Sequence, residues 1–522
     1  MCVNQGRATQ SRRSSHAGSV PSLEVAYSTP RLNTSLDGTV GGTLAEKLDA
    51  VVVGAGPNGL AAAIELARSG YSVKVVEAMG EPGGGTHTKE LTLPGFYHDQ
   101  CSAVHPMGIL SPFYRSLPLQ DFGLEWLTTE ASVAHPLDEG YAVMLYQSLD
   151  RTADQLTRAD AQVWRSIFRP FLKNPHGLLG DLLGPLNRIP KHPITMARFG
   201  MLSLWPARRL AMRMFENERA RALFSGCAGH SVLSLDHWMT SALGLIFALT
   251  AHVETWPVAK GGSRAIGQAL SDYFVSLGGE IQCDERVTSL DQLPDSRAVL
   301  FDLSPTVFAD IAQDALPKGY LKRLRRYHYG PGTYKIDWAL DGEIPWRDHR
   351  VSTASTVHLG GTSAEIARSE KDAWEGRHND RPYMILCQQS HADPTRAPEG
   401  KHTGYAYCHV PSGSDRDMTD IIEAQVDRFA PGFRDRILAR HVTTPADFEQ
   451  FNPNYVGGAV TGGAAHLPQL FTRPVARFDP YSTPNRKLYM CSASTPPGGG
   501  VHGLCGYYAA QSAMRRLKAG KI

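Results

Sequence analysis

Sustained hydrophobic order begins abruptly near residue 49. Asp49-Ala50-Val51-Val52-Val53 is a short apolar run of the kind that makes a strand buried on both faces of a parallel sheet. Gly54-Ala55-Gly56-Pro57-Asn58-Gly59 follows, and the stretch 60–68, rich in Ala, Leu, Ile and Glu, predicts a helix that Gly70 stops. Tyr71-Ser72-Val73-Lys74-Val75-Val76 predicts a second strand ending on Glu77. Further on, 239–253 is an apolar stretch read as a buried helix, since a membrane span needs roughly 18–20 such residues. The alternation around Tyr334, Asp337 and Trp338 predicts a strand of sheet residues, with the lining of a cavity as the alternative reading, and 487–494 predicts a strand leading into a last helix over 506–517. Residues 1–46 hold twelve Ser/Thr and no sustained period, so they read as a disordered tail. A transit peptide is the alternative, because Arg7, Arg12 and Arg13 precede the first acid, Glu24.

The strand, G-x-G-x-x-G turn, helix, second strand and terminal acid together form a dinucleotide-binding βαβ unit. Gly54 permits the tight turn, Gly56 lets the backbone approach a pyrophosphate, and Gly59 lets helix pack on strand. With Pro57 and Asn58 these glycines open the helix whose N-terminus binds phosphate. Glu77 can accept hydrogen bonds from the adenosine ribose hydroxyls, and a 2′-phosphate there would be repelled.

Just beyond Glu77 stands a second glycine turn, Pro82-Gly83-Gly84-Gly85-Thr86. Downstream come Trp256-Pro257-Val258-Ala259-Lys260-Gly261-Gly262-Ser263, then Gly278-Gly279-Glu280-Ile281 and Val287, and near the C-terminus Pro497-Gly498-Gly499-Gly500-Val501-His502-Gly503. On these motifs the chain, from about 48 to 522, resembles the FAD-dependent oxidoreductases of the glutathione-reductase fold and, within them, the phytoene-desaturase-like family. The resemblance implies bound FAD, with Gly83, Gly84, Gly85, Thr86, Val287, Gly498, Gly499, Gly500, Val501 and His502 joining the fingerprint around the cofactor. Val287 is then expected at the adenine and His502, in the first turn of the last helix, at the flavin pyrimidine. In that family the Gly-Gly pair is usually followed by Arg, where this chain has Gly85, which removes a cation expected near the phosphates. Carotenoid desaturases carry Ile-Pro where Val501-His502 stand; with His98 to Pro106, Tyr334 to Leu340 and Thr356 to Gly361, this points to a non-carotenoid branch.

The resemblance implies an α/β architecture: a Rossmann-like FAD-binding domain, a mixed-sheet substrate domain and an inserted helical lid. The expected division is a tail over 1–47, FAD-binding segments over 48–130, 251–320 and 471–522, a substrate domain with basic lid over 131–250, and a substrate sheet over 321–470. One fingerprint argues against a bound nicotinamide substrate, so electrons enter from an organic molecule and leave to oxygen, a quinone or another acceptor. The expected reaction is oxidation or desaturation of an apolar small molecule by hydride transfer to flavin N5. The alternatives are a redox-neutral flavin-dependent isomerase and, among non-enzymes, a lipid or prenyl-protein escort. His502 and His105 are the catalytic candidates; His98, His230, His252 and His358 stand behind them.

Composition narrows partners. The net charge of +2 is too balanced for a nucleic-acid binder, and the eight cysteines form no C-x-x-C pair, so no metal site is expected. Residues 161–214, however, carry nine Lys/Arg (165, 169, 173, 188, 191, 198, 208, 209, 213) against Asp181 alone, interleaved with Trp164, Phe168, Phe171, Phe199 and Trp205. That mixture reads as an interfacial element for an anionic membrane surface, or else as a solvated lid. The expected location is cytoplasmic, with peripheral membrane contact or organellar import as variants, and the sequence leaves the oligomeric state open.

Overall fold

The computed structural model describes residues 47–185 and 189–520, so the predicted tail and Arg188 lie outside it. Five strands form a wholly parallel sheet in the order Leu488–Met490, Ser296–Phe301, Leu48–Val53, Val73–Val76, Glu280–Gln282. Leu48–Val53 sits at its centre with its last four residues buried, as a strand covered on both faces requires. The helix Pro57–Arg68 follows after the glycine turn, with Pro at its first position, where a missing N–H costs nothing.

The last helix, Leu504–Lys518, lies directly on the first. Gly506 makes this possible, because a Cβ there would stand 1.8 Å from the carbonyl oxygen of Asn58. The first and last glycine motifs, each at the start of one of these helices, thereby come to line the same cavity.

A second, seven-stranded sheet runs Ile437–Thr443, Gly332–Leu340, His402–Val410, Met384–Cys387, Ala354–Leu359, Ala131–Pro136, Ala142–Leu145. It is antiparallel except where Ala354–Leu359 pairs with Ala131–Pro136. Every residue of Gly332–Leu340 is buried. Tyr334 and Trp338 face an apolar layer with Met418, Ile422 and Phe433, and the opposite face turns to a cavity.

Between the sheets' strands the chain inserts a helical lid, including Arg158–Phe168, Pro175–Leu182, Pro193–Ser203, Ala207–Met214, Glu218–Gly229 and Thr240–Val253. Its aromatic residues are largely internal. Trp164, Phe168, Phe171 and Phe199 are buried together, and the Trp164 indole N–H donates to His252 Nε2 at 3.0 Å. Among the described residues no helix is long and apolar enough to cross a membrane.

Candidate active site

Two glycine turns meet at the carboxyl end of the parallel sheet. Gly54 and Gly84 have positive φ, and a Cβ on Gly84 would lie 2.8 Å from the Cα of Gly56. Ala55 ties the turns to the second strand: its carbonyl accepts the Gly83 N–H at 2.9 Å and its N–H donates to Glu77 Oε2 at 2.6 Å. Glu77 Oε1 accepts the Met79 N–H at 2.9 Å, so the carboxylate is held at the strand's end. This is a cradle from which side chains are excluded, next to a helix N-terminus, and it fits the pyrophosphate and ribose of FAD.

Asp302, immediately after the Ser296–Phe301 strand, reaches into the same cradle. Its Oδ2 accepts the Gly59 N–H at 2.8 Å and stands 2.7 Å from where a Cβ on Gly56 would be. Burial pushes its pKa up to about 7 against the pull of that hydrogen bond, and the nearby Glu77 adds to the rise. Tyr455 closes the side of the second turn: a Cβ on Gly85 would stand 2.5 Å from its hydroxyl.

At the other end of the cradle, Gly498 and Gly500 also have positive φ, and the buried Arg473 guanidinium lies against Gly498. Arg473 donates to Tyr327 Oη and, at longer range, to the carbonyls of Gly463, Ala493 and Ser494, which braces this loop. His502 precedes the last helix, whose N-cap is Gly503 in the left-handed region, instead of lying in its first turn. Its Nδ1 accepts the Leu504 N–H at 3.0 Å. Burial pushes its pKa down to about 4, against the carbonyls of Gly498 and Gly499, so the ring is neutral at pH 7 and occupied by backbone groups.

Fifteen predicted residues (Gly54, Gly56, Pro57, Asn58, Glu77, Gly84, Gly85, Thr86, His105, Val287, Gly498, Gly499, Gly500, Val501 and His502) line one cavity of about 630 Å³. Gly59 and Gly83 do not; a Cβ on Gly59 would fall 2.0 Å from the Gly54 carbonyl oxygen, so its role is to let helix meet strand. His105 is buried, its Nε2 3.1 Å from Ser263 Oγ, and burial drives its pKa to about 4. Because Ser263 Oγ donates to the Ser102 carbonyl, it accepts from His105, which leaves Nδ1 with its lone pair.

The cavity continues from the cradle to the seven-stranded sheet and the lid. Lys335, Thr333, Tyr405, Tyr407 and His409 line its floor, and Phe199, Leu243, Ile246 and Phe247 its lid side. Tyr334 and Trp338, candidates for this lining, point the other way: Tyr334 donates to Asp417 and Trp338 to Glu423. Lys335 between them faces the cavity, donating to the Asp99 carbonyl at 3.0 Å and to Asp337, with Nζ 4.4 Å from the Tyr405 ring centroid. Burial alone would raise the pKa of Asp337, but Lys335 and His98 hold it below the ordinary carboxylate value. His230 lines the cavity, whereas His98, His252 and His358 are buried behind its wall. Among the described residues no group of three or more His, Cys, Asp or Glu is placed to hold a metal ion.

The family model described as an NAD(P)-binding Rossmann-like domain matches residues 52–117. The chain is 27% identical to pyridine nucleotide-disulfide oxidoreductase domain-containing protein 2 of Rattus norvegicus, over 91% of this chain and 95% of that one. It is 24% identical to the lycopene-forming phytoene desaturase of Pseudescherichia vulneris, over 87% of this chain and 96% of that one. Among solved structures, an oxidoreductase from Methanosarcina mazei superposes with a TM-score of 0.62 at 18% identity, covering 90% of this chain and 100% of its own. That last likeness is one of fold.

Proposed function

We propose that this chain, an FAD-dependent oxidoreductase related to the phytoene desaturases, oxidises or desaturates a largely apolar small molecule, with FAD supplying the acceptor for a hydride from substrate carbon. One observation carries the reading: the glycine cradle and the apolar lid wall belong to the same cavity. A molecule seated against Phe199, Leu243, Ile246 and Phe247 therefore shares a water-poor space with the cofactor residues. The lid excludes solvent and orients the substrate, the two contributions that a preformed apolar chamber makes best. His105, with Nδ1 free to accept a proton, is the candidate base.

The test is anaerobic incubation of the yellow holoprotein with a panel of apolar compounds. Bleaching of the flavin absorbance with stoichiometric appearance of an oxidised product is the expected result. Turnover that occurs only after the flavin has been chemically reduced, with no net oxidation of the compound, would instead assign isomerase chemistry.

The lid's outer surface supports a companion reading, that it rests on an anionic lipid surface. Ile189 (92% exposed), Ile194 (86%), Met201, Leu204 and Met212 project into solvent among the exposed cations Lys191, Arg198, Arg209 and Arg213. Phe199 and Ser203, from the same helix as Ile194 and Met201, line the cavity, so an apolar substrate would pass from lipid to chamber with little travel through water.

A further inference from the structure

The floor of the chamber carries a polar device that an unfunctionalised hydrocarbon would not use. His409 lies on the strand His402–Val410, two residues from Tyr407, and both side chains line the cavity, as the period of two along a strand requires. Glu370, from the helix Ser363–Trp374, approaches from behind, with Oε2 2.8 Å from His409 Nδ1. Both residues are buried, and Glu370 Oε1 has no hydrogen-bond partner among the described residues. A buried carboxylate–imidazole pair is a poor way to stabilise a fold, because desolvation cancels much of the attraction. Its position at the cavity wall points to another use.

We propose that His409 is the polar anchor of the substrate chamber, that Glu370 is its positioning residue, and that the substrate is an apolar molecule bearing a hydroxyl group.

Glu370 takes the Nδ1 side of the ring, which leaves Nε2 as the atom able to reach a bound molecule. A neutral His409 presents a lone pair there, which accepts a hydroxyl proton; an imidazolium presents an N–H, which donates to a hydroxyl oxygen. An alcohol is thus held in either protonation state. A carboxylate is not, since it would place a second negative charge in the same low-dielectric space as Glu370. An alkane leaves the imidazole Nε2 without a partner, at the cost of a buried unsatisfied group. The neighbouring wall reinforces this: His230, also lining the cavity, has its Nε2 2.9 Å from His358 Nε2, so that nitrogen is already committed within the protein.

The inference rests on reading the cavity as the substrate chamber, and the experiment separates the two. The holoprotein is titrated with 1-octanol, octanoate and octane, and binding is followed by the flavin difference spectrum. Octanol should bind at least ten-fold more tightly than the other two. His409→Leu and Glu370→Leu should erase that preference with flavin content unchanged, and Glu370→Gln, which keeps an acceptor for Nδ1–H, should restore it. Equal affinities for the three probes, tightest binding of octanoate, or a preference that survives His409→Leu each overturn the anchor while leaving the chamber intact. Absence of binding by all three overturns the chamber reading and the anchor with it.

Discussion

The backbone N–H of Gly59 donates to the carboxylate of Asp302 at 2.8 Å, across 243 residues of chain. This bond places an ionisable acid inside a cradle built for a pyrophosphate. Its pKa, raised to about 7 mainly by burial, means that the acid changes charge near neutrality. The sign follows directly. A carboxyl raised in the folded state contributes stability that is complete below its ordinary value and is lost as pH rises through about 7. The ionised form also repels the cofactor's phosphates. FAD affinity should therefore weaken as pH increases from 6 to 8, by up to about ten-fold per unit once Asp302 is ionised in the free protein. Asp302→Asn, which still accepts the Gly59 N–H, should bind FAD with little pH dependence. Fluorescence titration of the apoprotein at three pH values decides it; parallel slopes for the two proteins would show that Asp302 does not sense the phosphates.

The turn itself tolerates even less. A Cβ on Gly56 would come within 2.7 Å of Asp302 Oδ2, and any larger side chain would also fill the space the phosphates need. Gly56→Val should purify colourless, with secondary structure retained by circular dichroism. A yellow Gly56→Val protein with full flavin content would mean that the cradle is not where the cofactor binds.

His502 calls for a different prediction from the one its position in the sequence invites. A histidine at the flavin end of a helix would be expected to stabilise negative charge on a reduced flavin. The structure gives it a neutral ring whose Nδ1 is spent on the Leu504 N–H and whose other contacts are the carbonyls of Gly498 and Gly499. Its work is to fasten the glycine loop to the helix. Loss of one such buried hydrogen bond costs about 0.5–1.5 kcal/mol, so His502→Ala should weaken FAD binding by up to about ten-fold. The two-electron potential, measured by dye equilibration, should stay at the wild-type value. A lowered potential with unchanged FAD affinity would restore the direct electrostatic role.

What could be read from the sequence, and what could not, divides by the range of the constraint. The fingerprint was legible because a tight turn and a close backbone approach demand glycine locally, and Gly54, Gly56 and Gly84 carry that demand in their own dihedrals or their immediate surroundings. Asp302, Tyr455 and His409 had no motif around them; their roles exist only because distant strands and loops converge on the cavity. The strand at 332–340 shows a subtler loss. Its alternation was visible, but both of its faces are buried, one in an apolar core and one on the cavity, so the pattern could not say that Lys335 and not Tyr334 or Trp338 faces the site. In the lid, the basic and aromatic residues looked like one surface. Helical phase separates them: Trp164, Phe168, Phe171 and Phe199 turn inward, while the exposed apolar side chains are aliphatic or sulfur-containing, with Trp205 beside them.

That separation sharpens the membrane prediction. Of the nine cations counted in 161–214, Arg165 and Arg169 pair with Asp150, Arg165 also with Asp154, and Arg208 with Asp236, so the attraction available to anionic lipid is smaller than the composition implies. Among the described residues the exposed Lys173, Lys191, Arg198, Arg209 and Arg213 remain, each contributing about 1 kcal/mol at most near the surface. Five such contributions alone would be screened away by salt, whereas the exposed Ile194, Met201 and Met212 add an apolar contribution that salt does not weaken. The protein should therefore co-sediment with vesicles containing phosphatidylserine at low ionic strength and retain part of that binding in high salt. Arg209→Glu with Arg213→Glu should remove the salt-sensitive part, and Ile194→Ser with Met201→Ser the salt-resistant part. Wild-type protein that stays in the supernatant at low ionic strength would show that these side chains cover nothing lipidic and that the lid is simply solvated.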